Sequence, residues 1–201
     1  APSVTGAANF TILMDRDPAA PMRLLLVGTA FLPLTVMPVF WLLPAVPTIG
    51  GAIEGALRLL LVIFGAVGIA FAIRHWLWPA MANRHRAALD GASAILLGIV
   101  VIGLMSAVGP AILDEPQRFV MWLGFAFLLN FGLQFIAAIL MPVATPGDRP
   151  GTALVAGNRN IALFLVALPE PVMTELLLFI GCYQVPMYLT PILMRRFLAR
   201  D

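Results

Sequence analysis

The chain has 201 residues, of which 61% are hydrophobic and 11% charged, with a mean hydropathy of +0.98. This composition lies far outside the soluble globular range and marks an integral membrane protein. All twelve basic residues are arginine, and a net charge of +2 is too small to indicate nucleic acid as a partner. Cys182 is the only cysteine, which excludes an intrachain disulfide, a cysteine metal site and a redox pair, and leaves the reading of a small buried apolar residue.

In chain order, residues 1–14 are too short and too polar at their start to cross a membrane and read as the second half of a broken helix. Asp15-Arg16-Asp17 forms a loop. Residues 18–44 are a transmembrane helix with Pro18 and Pro21 near its first turn. Pro33 and Pro38 kink this span without ending it, as neighbouring helices in a membrane allow. After a turn, residues 56–78 form the next span, with Arg58 and Arg74 placed to snorkel and Trp76 and Trp78 at the interface. A basic connection leads to two further spans, 88–113 and 117–142, joined by Asp114-Glu115-Pro116. The second carries Asn130 and Gln134 on one helix face, placed to line a cavity or to join helices by hydrogen bonds. Residues 150–168 are a broken helix, and 170–197 are the last transmembrane helix.

Arginine placement orients these spans by the positive-inside rule. Arg16, Arg23, Arg74, Arg84, Arg86, Arg149, Arg195, Arg196 and Arg200 fall on one side, whereas Arg58 and Arg118 fall on the other. The first side is therefore cytoplasmic and holds the carboxyl terminus. The expected location is a bacterial plasma membrane. With no signal peptide visible, the chain reads as a fragment or a processed piece of a longer protein.

The broken segment carries the most informative residues. Gly157-Asn158-Arg159-Asn160 interrupts an apolar run, and Arg159 lies nearly midway between Pro150 and Pro169. A spanning helix needs about 20 residues, so Arg159 is expected near the membrane midplane. A charge there costs roughly 2.5 kcal/mol or more. Irregular backbone at that depth is tolerated only where protein buries it or it lines a cavity, which makes this segment a candidate ligand site. The chain start repeats the device. Thr5-Gly6-Ala7-Ala8-Asn9, a proline-started helix, Leu24-Leu25-Leu26, Pro33 and Pro38 match Ala156-Gly157-Asn158-Arg159-Asn160, Pro169 and Pro171, Leu176-Leu177-Leu178, Pro186 and Pro191. The first unit starts its full span inside and the second outside. Interrupted segments at matching positions of inverted units are a pointer to a secondary transporter's binding site.

On these residues the chain resembles the bile acid:sodium symporter family. Ala1-Pro2-Ser3-Val4-Thr5-Gly6-Ala7-Ala8-Asn9 resembles the crossover in that family's fourth helix, Val155-Ala156-Gly157-Asn158-Arg159-Asn160 the crossover in its ninth, and Tyr183-Gln184-Val185-Pro186-Met187-Tyr188-Leu189-Thr190-Pro191 its tenth. The resemblance covers the whole chain. It implies an all-α polytopic membrane protein, an inverted-repeat transporter with two discontinuous crossing helices, of which about the first three and a half helices are missing here. The departures fall on the cation ligands. Ala7 and Ala8 stand where sodium-coupled members carry a Ser-Asn pair, and Val155 and Arg159 stand where they carry an acidic residue and a glutamine. A hard cation needs several oxygen ligands, so sodium is not expected as a cofactor. Arg159 would supply permanently the positive charge that an ion otherwise brings.

These readings predict a carrier of a small organic anion working by alternating access in the lipid bilayer. The candidate substrate-binding residues are Arg159, Asn158, Asn160, Gly157, Thr5 and Asn9. For Arg159 the alternative is a brace satisfied by broken-helix carbonyls, and for Thr5 and Asn9 it is capping. Glu175 is the one carboxylate placed for proton coupling, and simple exchange stands beside it. Tyr183 and Tyr188 read as packing residues. His75 and His85 have no clustered partners, and neither a hydrolytic triad nor a phosphate loop is present, so neither a metal site nor an enzyme is expected. The competing functions are arsenite or other efflux within the same superfamily, which the position of Cys182 away from both crossovers weakens, and a membrane sensor that does not transport. Substrate identity, direction of transport and oligomeric state are not encoded in recognisable residues.

Overall fold

The computed structural model describes residues 4, 6–14, 16–42, 48–77, 83–140 and 149–198. The regular elements among them are helices, as long apolar runs with no alternating pattern demand. The chain runs through α1 (Ala7–Leu13), α2 (Ala19–Ala30), α3 (Leu32–Leu42), α4 (Ile49–Ala72), α5 (Asn83–Leu104), α6 (Val108–Asp114), α7 (Pro116–Leu140), α8 (Arg149–Gly157), α9 (Glu170–Leu193) and α10 (Arg195–Leu198). Among the described residues four stretches, Ile49–Leu77, Gly91–Asp114, Pro116–Leu140 and Val172–Leu193, are long and apolar enough to cross a bilayer. With the bent pair α2–α3 they mark an integral membrane protein.

Prolines set the interruptions. Helices α2 and α3 meet at Phe31 with a bend of 60°. Pro33 has no N–H, and its ring opposes the carbonyl of Thr29 one turn back, which is sharper than a mild kink within one continuous span. In the same way Pro110 opposes the Ser106 carbonyl, and Met105–Ala107 form a turn between α5 and α6. Helix α4 starts where Thr48, in extended conformation, accepts a hydrogen bond on Oγ1 from the Gly51 amide at 3.1 Å. It closes in a π-helical turn, Ile73–Leu77.

Among the described residues three apolar clusters hold the helices together. One joins α1, α8 and the end of α9 through Ala7, Phe10, Leu154, Val155 and Met187. A second packs α3 on α4 and on the 3₁₀ turn Ile161–Val166 through Leu32, Phe40, Leu59 and Ala167. A third seats α9 against α6 and α7 through Val108, Ala126, Phe179 and Tyr183. The outer faces of α4 and α5 are apolar and open, with Leu61 and Ile95 exposed, as suits contact with lipid. Arg58 and Arg118, the two arginines assigned to the non-cytoplasmic side, pair with Glu54 at 2.6 Å and Glu115 at 3.0 Å. Such exposed i,i+3 and i,i+4 pairs add little stability but cancel the local charge.

Candidate functional site

Helix α8 stops at Gly157, and its last turn leaves carbonyls with no partner further along the helix. In a membrane each of these must be satisfied by protein. The Leu154 carbonyl accepts from the Asn158 amide at 3.0 Å and from Asn158 Nδ2 at 2.9 Å. The Ala156 carbonyl accepts from Arg159 Nε at 3.0 Å. The Gly157 carbonyl accepts from Asn130 Nδ2 at 2.9 Å and from the Tyr183 hydroxyl. The break is thus closed by its own polar residues together with α7 and α9.

A buried polar network extends from there. Asn130 Nδ2 lies 3.2 Å from Asn158 Oδ1, and Gln134 Nε2 donates to Asn130 Oδ1 at 2.7 Å and to Thr190 Oγ1 at 3.1 Å. The Thr190 hydroxyl also lies 3.2 Å from Asn158 Oδ1 and 3.0 Å from the Pro186 carbonyl. Asn130, Gln134, Asn158 and Thr190 are all fully buried. Gly157 permits this closeness. A Cβ there would collide with the Asn130 carbonyl oxygen and would sit 2.5 Å from Gln134 Cγ, so α7 and α8 touch backbone to side chain at this point.

The two interrupted segments meet. The Val4 amide donates to the Asn158 carbonyl at 2.9 Å, bringing the chain start against the break that follows α8. Beside this junction is a cavity of about 710 Å³. Its polar lining includes Asn9, Arg159, Asn160 and Gln184, and its apolar walls include residues of α5 such as Ala94 and Leu97. Phe10 and Tyr188 stack edge to face in the wall, with centroids 5.7 Å apart. No carboxylate is among the described residues that line it. Compared with protein-family models, curated proteins and solved structures, the chain matches none.

The residues singled out in the sequence divide in two. Arg159, Asn160 and Asn9 come together on the cavity. Gly157 and Asn158 are buried, and the Asn158 carboxamide is engaged at both its nitrogen and its oxygen. Thr5 and the Glu175 side chain lie outside the described residues. Arg159 also stands at the carboxyl end of α8, where the negative end of the helix dipole favours a cation. Thus the helix terminus nearest Arg159 stabilises the guanidinium itself.

Asn130 and Gln134 join helices, and Gln184 lines the cavity. Tyr183, read from sequence as packing, has a second role on the Gly157 carbonyl. The signal for it was available: a tyrosine hydroxyl deep in a membrane helix needs a partner, and a broken helix supplies spare carbonyls. Ala7 and Val155 belong to one apolar cluster. Cys182 is fully buried in the cluster that seats α9 on α7.

Proposed function

We propose that the chain is a secondary transporter of the bile acid:sodium symporter type, carrying a small organic anion by alternating access without sodium. What supports this reading most is the cavity at the meeting of the two interrupted segments, where Arg159 is a cation in an otherwise neutral, largely apolar lining. Its volume lies in the usual range for small-molecule sites, about 300–1,000 Å³. A guanidinium offers five N–H donors in a planar fork, which matches a carboxylate or sulfonate. Asn9, Asn160 and Gln184 add neutral hydrogen-bonding groups, and Phe10 and Tyr188 offer aromatic faces to an apolar body. The apolar packing of Ala7 with Val155 favours sodium independence. In this reading Asn158 and Gly157 act indirectly, by fixing the backbone from which Arg159 projects. The inverted relation of the two interrupted units is part of the same proposal.

Uptake of 2-naphthalenesulfonate into proteoliposomes, with and without a sodium gradient, tests the reading. Uptake that does not depend on sodium is expected. Strict sodium dependence would refute the role given to Arg159, and no uptake of this or smaller carboxylates would favour a sensor. Arg159→Gln is expected to abolish binding while lowering stability by about 1–2 kcal/mol, since it removes the Nε bond to the Ala156 carbonyl and a helix-end charge. A brace without ligand contact would show the reverse, a loss of folded protein with binding retained in what survives.

A further inference from the structure

A second cavity, of about 480 Å³, lies against the same break. Its walls are different: Val27, Phe31 and Thr35 from the bent α2–α3 pair, Ala137 from α7, and Thr152 and Val155 from α8. The first cavity is bounded instead by α1, α5 and α9 with residues 159–163. Among the described residues, Arg159 alone lines both. The origin of the second cavity is local. The bend of 60° at Phe31 swings α3 away from α2, and the space beside it is the space that Phe31 and Thr35 line.

The two cavities are chemically alike. Each has the same guanidinium, a few neutral polar side chains and apolar walls, and neither has a carboxylate among its described lining residues. In the second, Thr35 and Thr152 supply the hydroxyls, and that of Thr35 donates to the Leu32 carbonyl at 3.2 Å, a bond it must exchange to meet an anion. Arg159 Nε is tied to the Ala156 carbonyl, which fixes the base of the fork in the partition between them. A guanidinium held at its base carries its four other N–H donors on the two outer nitrogens of one rigid plane, so one group can serve both sides with no movement of α8.

We propose that the second cavity is a second station for the transported anion, and that Arg159 passes the anion from one cavity to the other. This rests on the functional reading above. The anion enters the first cavity, binds the guanidinium, and crosses the partition to a smaller site where the two threonine hydroxyls take over its remaining hydrogen bonds. Charge is compensated throughout, because the same cation serves both stations.

The test uses the full chain in nanodiscs for equilibrium binding of 2-naphthalenesulfonate, by its own fluorescence, and in proteoliposomes for uptake. Thr152→Trp fills the second cavity and is expected to leave binding in the first unchanged while uptake falls to the rate of empty liposomes. Ala94→Trp fills the first cavity and is expected to remove both. The double substitution Thr35→Val with Thr152→Val keeps the side-chain volumes and is expected to slow uptake by about fivefold with binding unchanged, since two hydrogen bonds to the passing anion are lost. Normal uptake by Thr152→Trp or by the double variant overturns the second station alone. A wild-type chain that neither binds nor carries the probe overturns the functional reading and the second station with it.

Discussion

Helices α7, α8 and α9 differ from helix α5 in how they are held. In the first group, Asn130, Gln134, Asn158, Tyr183 and Thr190 bond across helices with almost no exposure. In α5 between Gly91 and Leu104 no residue is buried, and the helix leans on α9 through its last turn, where the Leu104 carbonyl approaches Gly181. Water-driven apolar association is lost between helices in lipid, because hydrocarbon tails are as apolar as leucine. Close packing at small residues and interhelical hydrogen bonds therefore decide which helices stay fixed. The first group has both devices, and α5 has little of either. The larger cavity lies between one helix of each kind, so its inner side is rigid and its α5 side is a wall that can shift.

The comparison breaks most visibly at Gly157. Gly157→Val is expected to cost about 3 kcal/mol or more, because the added atoms meet the Asn130 backbone and Gln134 at once. The measurement is the recovery of folded protein and its thermal midpoint in detergent. Next in size, Asn130→Leu keeps the shape but strips the Gly157 carbonyl and Asn158 Oδ1 of a donor, a loss of about 2 kcal/mol readable as a lower midpoint. At the small end, Ile95→Ala on the open face of α5 should change stability by no more than about 0.5 kcal/mol. If Ile95→Ala destabilised the protein as much as Asn130→Leu, α5 would be a packed helix and the contrast would fail.

Much of this arrangement can be read without coordinates. Span lengths follow from runs of apolar residues, and the break at Gly157-Asn158-Arg159-Asn160 follows from four residues that neither fit lipid nor favour a helix interior. The bend at Phe31 was foreshadowed by Pro33, though not its extent, since the angle depends on how α3 packs against α4. The polar network was only half legible. Asn130 and Gln134 show a shared face, but their partners Asn158 and Thr190 lie on other helices, and chain spacing carries no information on which helices become neighbours. Nor does an evenly apolar helix such as α7 show which side faces lipid, because no amphipathic stripe marks it. The site suffered the same limit. Asn158 and Arg159 are adjacent in sequence, yet one is sealed into the helix junction and the other faces two cavities.

The bond from the Val4 amide to the Asn158 carbonyl has a consequence for how the two interrupted segments part. Val4 lines the larger cavity, whereas Asn158 is fully buried and lies outside its lining, so that cavity reaches the bond from the Val4 side alone. In apolar surroundings an amide–carbonyl bond is worth about 4–6 kcal/mol, because nothing competes for either group. Where water reaches both groups, exchange reduces it to about 1 kcal/mol. With the Asn158 carbonyl sealed from the cavity, the bond stays nearer the apolar limit, and parting the segments has to break it there.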